Sequence, residues 1–178
     1  LWPYDVSSDG QWVVYGRQDD SGQEDLFIIP TSGEGESQAL FRTPYDEWPG
    51  LISPNQRWIA VDSDETGRRE VYVIPFPSGS GRWQVSRNGG RFPQWSTDGT
   101  EIFFVSVDGS MMAATVETDG DVFRSGEPRQ LFEYLASPGG LGSYDVHPDG
   151  DRFALVEQSA QFAPISLFKH WDKALEGR

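Results

Sequence analysis

A repeated turn constrains the fold of this chain more than any other feature of its 178 residues. Four segments align without gaps around a polar turn whose sequence is Asp-Gly or a close variant of it. Each turn has an apolar residue before it and a short apolar stretch after it, so it is predicted to join the two strands of a hairpin. The turns are centred on Asp9, Asn55, Asp98 and Asp149, spaced by 46, 43 and 51 residues. Such a period indicates a repeat architecture.

Each unit continues in the same order, with a second polar turn, a third strand, a loop and a last short strand. Four strands in about 45 residues match one blade of a β-propeller, and no amphipathic helical stretch competes with that interpretation. We therefore predict an all-β fold of four-stranded antiparallel blades over residues 1–47, 48–90, 91–140 and 141–170, with a tail at 171–178. The fourth unit has no visible last strand. This favours part of a six- to eight-bladed ring over a closed ring of four blades.

Composition excludes several classes of function. Fourteen Lys and Arg stand against 28 Asp and Glu, a formal charge of −14, which argues against a nucleic-acid partner. The absence of cysteine excludes disulfides, thiolate catalysis and Cys-based zinc sites. No apolar run approaches the roughly 18 residues of a membrane span, so membrane insertion of this segment is not predicted.

Motifs for catalysis and metal binding are weak. No Gly-x-Ser-x-Gly elbow occurs, and only His147 and His170 could act as a base. His147 occupies a turn position that is Ser in the other units, which favours a structural role. Residues 62–67 resemble the start of a calcium loop, but its twelfth position is Val73 and predicted strands flank it, so a plain hairpin is favoured. We predict no catalytic residue, no metal and no cofactor.

The innermost strand of each blade supplies the candidate ligand-binding residues. Asp5, Leu51, Gln94 and Asp145 share one column of the repeat, and alternation turns this column away from the buried one. Two carboxylates there could face the channel and bind a cation or a basic peptide. The alternative is that they accept backbone N–H groups of neighbouring turns. The candidate ligand-binding residues are Tyr4, Asp5, Gln94, Tyr144 and Asp145.

Two segments carry a resemblance to a known family. Residues 92–99 and 64–73 resemble the WD40-like β-propeller repeat of TolB-type proteins. The departures from that repeat are Asn55, Gln56 and His147. Residues 165–175 resemble the end of the propellers that follow bacterial serine/threonine kinase domains. The resemblance implies a propeller fold, a scaffold or sensing role, and an extracytoplasmic or periplasmic location, with the cytoplasm left open.

The expected function is therefore a non-enzymatic module that binds a protein or a peptide. One alternative is the gating propeller of a hydrolase, such as a prolyl-oligopeptidase-type peptidase, whose catalytic domain lies outside this chain. A weaker alternative is a propeller glycosidase or lactonase that uses Asp5 and Asp145.

Two structural predictions follow from the blade assignment. Five large aromatic side chains should be buried within or between blades, namely Trp58, Tyr72, Trp95, Phe103 and Phe104. A partial ring leaves the outer faces of its first and last blades open, so the chain should self-associate. The groups expected on those open faces are Trp2, Val14, Leu155 and Phe168.

Overall fold

A computed structural model describes residues 1–133, 144–150, 152–156 and 165–169. The regular elements in these ranges are all strands, and they form four separate antiparallel sheets. The prediction of an all-β protein with antiparallel blades is confirmed. The predicted tail at 171–178 and His170 lie outside the described residues.

Each sheet is one blade, and in blades 1, 2 and 4 the strands follow chain order from the innermost to the outermost. Blade 1 contains β1 (Trp2–Val6), β2 (Trp12–Gln18), β3 (Glu24–Pro30) and β4 (Gln38–Phe41). Blade 2 contains β5 (Glu47–Ile52), β6 (Trp58–Ser63), β7 (Glu70–Pro75) and β8 (Trp83–Gln84). Blade 3 contains β9 (Arg91–Trp95), β10 (Glu101–Val105), β11 (Ser110–Asp119), β12 (Val122–Ser125) and β13 (Arg129–Glu133). Blade 4 contains β14 (Tyr144–Val146), β15 (Arg152–Val156) and β16 (Ile165–Lys169).

Blade 3 has a strand that the repeat does not predict. β11 is long enough to pair with β13 near its start and with β12 near its end. The extra hairpin turns at Gly120, whose φ is +55°. It reaches back to blade 2, where Phe123 packs on Trp58 and Trp83. The Asp-Gly pair at 119–120 is the sequence signal for this hairpin.

The repeated turn is held by the same hydrogen bonds in the first three blades. In blade 1 the Ser7 hydroxyl donates to Asp9 at 2.6 Å and accepts from the Trp12 amide at 2.9 Å. The bonds recur around Ser53 and Ser96. In blade 4 the Asp149 amide donates to Nδ1 of His147 at 3.3 Å. His147 therefore has the structural role in the turn that its repeat position suggests.

The core lies between the blades and within them. Three clusters of buried apolar side chains occupy these spaces, and the five predicted core residues are all buried. Of the groups predicted on open faces, Trp2 is 45% exposed. Val14 and Leu155 are fully buried, and that prediction is wrong for both because each packs in a cluster shared with the neighbouring blade. The side chain of Phe168 lies outside the described residues.

Candidate functional site at the channel rim

Asp5 serves the structure of the ring. One of its carboxylate oxygens accepts from the Ile52 amide of blade 2 at 2.8 Å, and the other accepts from the Val6 amide at 2.8 Å. The innermost strands of blades 1 and 2 are thus tied by a side chain. Asp5 thus accepts hydrogen bonds from backbone N–H groups, which is the alternative to ligand binding given in the sequence analysis.

Gln94 and Tyr144 tie blade 3 to blade 4 in a related way. The Gln94 side-chain amide donates to the Tyr144 carbonyl at 2.7 Å, and the Tyr144 hydroxyl donates to the Phe92 carbonyl at 2.6 Å. Asp145 is exposed and accepts from the Val146 amide at 3.0 Å. The structure brings Gln94 and Tyr144 together. It places no hydrogen bond between Asp5 and Asp145.

Tyr4 takes part in a different cluster, at the end of the ring where the innermost strands begin. Its hydroxyl donates to the Glu24 carboxylate. Gly16 makes this contact possible, because a Cβ there would stand 1.9 Å from the nearer Glu24 oxygen. Burial and the bond to Glu24 raise the pKa of Tyr4, and burial raises the pKa of Glu24 while the Tyr4 bond opposes that change.

An ion pair lies next to this cluster in blade 2. Asp62 is fully buried, and its carboxylate accepts from Arg69 Nη1 at 2.7 Å and from the Phe92 amide at 3.0 Å. Burial raises the pKa of Asp62, and Arg69 and the Phe92 amide act in the opposite direction. Arg69 also pairs with Asp46. Phe92, held by this bond, has a φ of +57°, in the left-handed region that L-residues seldom adopt.

Aromatic rings complete the cluster. Trp48 donates from Nε1 to Asp46 at 3.1 Å, and the guanidinium carbons of Arg69 and Arg91 lie 5.1 and 5.5 Å from the centre of its ring. These are cation–π distances. In blade 1, Trp2 occupies the repeat position that Trp48 has in blade 2. Trp2 lies opposite Gly16 in the β1–β2 pairing, as Trp48 lies opposite Asp62 in the β5–β6 pairing. We call this cluster the rim, and its members are Trp2, Tyr4, Glu24, Asp46, Trp48, Asp62 and Arg69.

The blade 1 and blade 2 halves of the rim differ in the charge of one residue next to the tryptophan position. Glu24 and Arg69 stand at the same repeat position, six residues before the proline that ends the third strand of each blade. In blade 2 the Arg69 guanidinium covers Trp48. In blade 1 a carboxylate stands there, and Trp2 makes no aromatic or cation–π contact with the described residues. The blade 1 half therefore combines a buried carboxylate with an indole that is 45% exposed and carries no guanidinium.

Glu47 lies beside the rim and is fully buried. Thr43 donates to one of its oxygens, while Oε2 has no hydrogen-bond partner among the described residues. Burial raises the pKa of Glu47 to about 7. Ser63, opposite Glu47 in the β5–β6 pairing, is also buried, and its hydroxyl has no partner in the same ranges.

The sequence predicted Tyr4 as a site residue but not the rest of the rim. The sequence places Asp62 in a predicted hairpin turn and predicts no role for Trp48. The available signal was the shared repeat position of Trp2 and Trp48 with the change from Glu24 to Arg69. Within the described ranges, no group of three or more acidic or His side chains is arranged to hold a metal ion. No helix in those ranges is long and apolar enough to span a membrane.

The chain is similar to several known proteins. No family model matches the chain. An uncharacterized protein of Agrobacterium fabrum is 30% identical over 148 residues, which cover 80% of this chain and 46% of that protein. TolB from Acinetobacter baumannii superposes with a TM-score of 0.68 at 14% identity, over 94% of this chain and 40% of TolB. The chain has the β-propeller fold of TolB.

This chain spans less than half the length of those two relatives. The described sheets and this partial coverage agree with blades that belong to a larger ring.

Enzymes share this fold. An oligogalacturonate lyase in complex with manganese has a TM-score of 0.63 at 15% identity, over 96% of this chain and 50% of the lyase. A periplasmic gluconolactonase of Pseudomonas aeruginosa and a prolyl endopeptidase each have a TM-score of 0.53, at 13% and 12% identity. They are covered over 55% and 29% of their lengths, and this chain over 93% and 94%. The prediction that the chain is not an enzyme is thereby contradicted. The absence of a familiar catalytic motif did not justify it, because this fold also serves enzymes.

Proposed function

We propose that this TolB-like chain binds a protein or peptide partner at the rim, and that an arginine or lysine side chain of the partner stacks on Trp2 beside Glu24. The proposal rests on one difference between two equivalent repeat positions, which hold Glu24 in blade 1 and Arg69 in blade 2. In blade 2 the chain supplies its own guanidinium to the tryptophan. In blade 1 it supplies a carboxylate and leaves the indole open to a cation from outside.

The charge of the rim supports a cationic ligand. Arg69 interacts electrostatically with Asp46, Asp62 and Asp64, and Glu24 lies in the same field. With the whole chain at −14, a basic segment is attracted over a longer range than the contact itself, which speeds association. The candidate residues Asp5, Gln94 and Tyr144 then contribute by fixing the innermost strands on which the rim stands.

Peptide binding tests this proposal directly. We expect a fluorescent peptide containing two or three arginines to bind the purified chain, and its acidic counterpart not to bind. Trp2→Ala should weaken binding about tenfold, since it removes a half-buried cation–π contact of roughly 1.4 kcal/mol and leaves Glu24 in place. The matched control is Val122→Ala, because Val122 is equally exposed at 46% but lies on β12. Equal affinity of the two variants would overturn the proposal.

A second candidate function is a gating propeller attached to a hydrolase. The similarity to a prolyl endopeptidase, of which the chain covers 29%, favours this candidate at the level of the fold. The rim would then contact the catalytic domain or a peptide substrate on its way to it. We also propose an extracytoplasmic location, in keeping with the periplasmic gluconolactonase of the same fold.

A further inference from the structure

A cavity lies at the opposite end of β6 from the rim. It has a volume of about 360 Å³, within the roughly 300–1,000 Å³ of small-molecule sites. Blade 2 forms most of it, and the β11–β12 turn of blade 3 closes one side. Its lining includes two tryptophans, two serines and an ion pair, which are Trp58, Trp83, Ser78, Ser80, Arg57 and Asp121.

Trp58, which lines this cavity, carries an unpaired hydrogen-bond donor. The residue is 2% exposed, and its indole N–H has no hydrogen-bond partner among the described residues. Buried polar groups in proteins are nearly always paired, so an unpaired donor on a residue that lines a cavity points to an acceptor that arrives with a ligand or with water. The ring of Trp83 lies 5.3 Å away, nearly perpendicular to that of Trp58, and supplies an apolar wall.

The other polar groups come as donor–acceptor pairs of balanced charge. Arg57 and Asp121 form an ion pair at 2.7 Å with both side chains exposed by half or more. The hydroxyls of Ser78 and Ser80 are 3.2 Å apart. Adjacent hydroxyl groups on a saturated ring each donate and accept hydrogen bonds. They can therefore bond to both the donor and the acceptor of such a pair. A balanced ion pair gives no advantage to a charged ligand.

The loop that carries the serines is fixed before any ligand arrives. Gly79 has a φ of +66° and donates to the Pro75 carbonyl at 2.9 Å. Its backbone lies so close to blade 1 that a Cβ would stand 1.9 Å from the Leu40 carbonyl oxygen. A preorganised site loses less free energy on binding than one that must be ordered.

We propose that this cavity binds a neutral sugar unit. The apolar face of the sugar packs on Trp83, one of its oxygens accepts from the Trp58 indole N–H, and a pair of adjacent hydroxyls bonds to Arg57 and Asp121. The site is separate from the rim and does not depend on the function proposed there.

Indole N–H resonances in a ¹H–¹⁵N spectrum report on this site directly. The probes are methyl glucoside, methyl galactoside and methyl mannoside at millimolar concentration, and the Trp58 resonance is assigned from the loss of a peak in Trp58→Phe. We expect at least one of these sugars to shift the Trp58 and Trp83 resonances saturably. We expect Asp121→Ala to weaken that binding about tenfold, since it removes a hydrogen bond to a charged group.

The matched control is Glu127→Ala, which breaks an exposed ion pair with Arg87 elsewhere on blade 3 and should leave sugar binding unchanged. Asp121 and Glu127 are exposed, so neither variant should disturb folding. The proposal is overturned if none of the three sugars shifts the two resonances, or if both variants weaken binding alike. It is equally overturned if only glucuronate or a proline-rich peptide shifts them, because the ligand would then be charged or a protein.

Discussion

At the scale of single residues, Glu47 is the clearest case of a side chain whose environment opposes its usual charge. Its pKa is raised to about 7 from 4.5 by burial. Between these two values the folded protein holds more protons than the unfolded chain, so the free energy of unfolding falls as pH rises. Above about pH 7 the loss is complete and amounts to at most about 3 kcal/mol. Ionised Glu47 therefore destabilises the fold.

Glu47→Gln should remove this dependence, because a glutamine keeps an acceptor for Thr43 and carries no charge. We expect the variant to have a higher melting temperature than the parent at pH 8 and a similar one at pH 5. Asp98→Asn is the control with the opposite sign. Hydrogen bonds from Thr100 and Ser96 lower the pKa of Asp98, so that substitution should cost stability near neutral pH and lose its effect in acid. A pH-independent effect of Glu47→Gln would refute the explanation.

The turn of blade 2 offers a second test on one residue. Gln56 stands where the other three repeat turns have Gly10, Gly99 and Gly150, and its φ is +58°. A residue with a Cβ costs roughly 1–2 kcal/mol in this left-handed region. Gln56→Gly should therefore raise the free energy of unfolding by about 1 kcal/mol, offset in part by the lost bond from the Asp9 amide. The reciprocal change Gly99→Gln should lower it, and urea unfolding measures both; effects of the same sign would contradict the assignment.

At the scale of strands and blades, side chains that cross from one innermost strand to the next hold the ring together. Trp95 is the largest of them. It is 8% exposed, packs in the cluster between blades 2 and 3, and donates from its indole to the Leu51 carbonyl at 2.8 Å. Asp5 and Gln94 make the corresponding ties with smaller side chains.

Trp95→Ala should unfold the chain or nearly so, because removal of a buried aromatic ring costs about 3–5 kcal/mol. Trp95→Phe keeps most of the packing and loses the hydrogen bond, so a smaller loss of about 1–3 kcal/mol is expected. Thermal unfolding followed by circular dichroism separates the two. An unchanged melting temperature for Trp95→Ala would contradict the blade assignment.

The sequence predicted the strands better than it predicted the site, and the reason is physical. Turns such as Ser7 to Trp12 close on themselves, so a local pattern is enough to recognise them. The rim forms when residues distant in the chain meet across two blades, as Phe92 does with Asp62. The prediction that Val14 lies on an open face is wrong. The alternation of side chains along a strand defines two faces of the blade but does not show which face packs on the next blade. The β11–β12 hairpin was missed although its Asp-Gly turn was visible.

At the scale of the whole molecule, the ends of the blade series remain partly apolar. Leu1, Trp2 and Val6 are 78%, 45% and 54% exposed. On blade 1 the Phe27 ring stacks on Tyr15 at 5.7 Å and lies under the Arg17 guanidinium at 3.8 Å, and this residue is buried. Self-association of the chain therefore stays a prediction, with Trp2 retained and Val14 and Leu155 removed from the expected contact.

Dimerisation should strengthen as salt is added, because repulsion between two chains of charge −14 is screened while burial of apolar area is not. Sedimentation velocity at low and high ionic strength measures this. Trp2→Ala should weaken the dimer, and Val107→Ala, which removes an exposed side chain from blade 3, should not. A monomer of 19.9 kDa at all salt and protein concentrations would contradict the prediction.

The central claim is that the rim takes a cationic side chain from a partner as blade 2 takes its own Arg69. Isothermal titration of an arginine peptide against the same peptide with citrulline tests it most directly, because citrulline keeps the shape of arginine and lacks the charge. We expect the parent chain to prefer arginine by about tenfold or more and Trp2→Ala to lose most of this preference. Equal affinity of the parent chain for the two peptides, or a preference unchanged in Trp2→Ala, would contradict it.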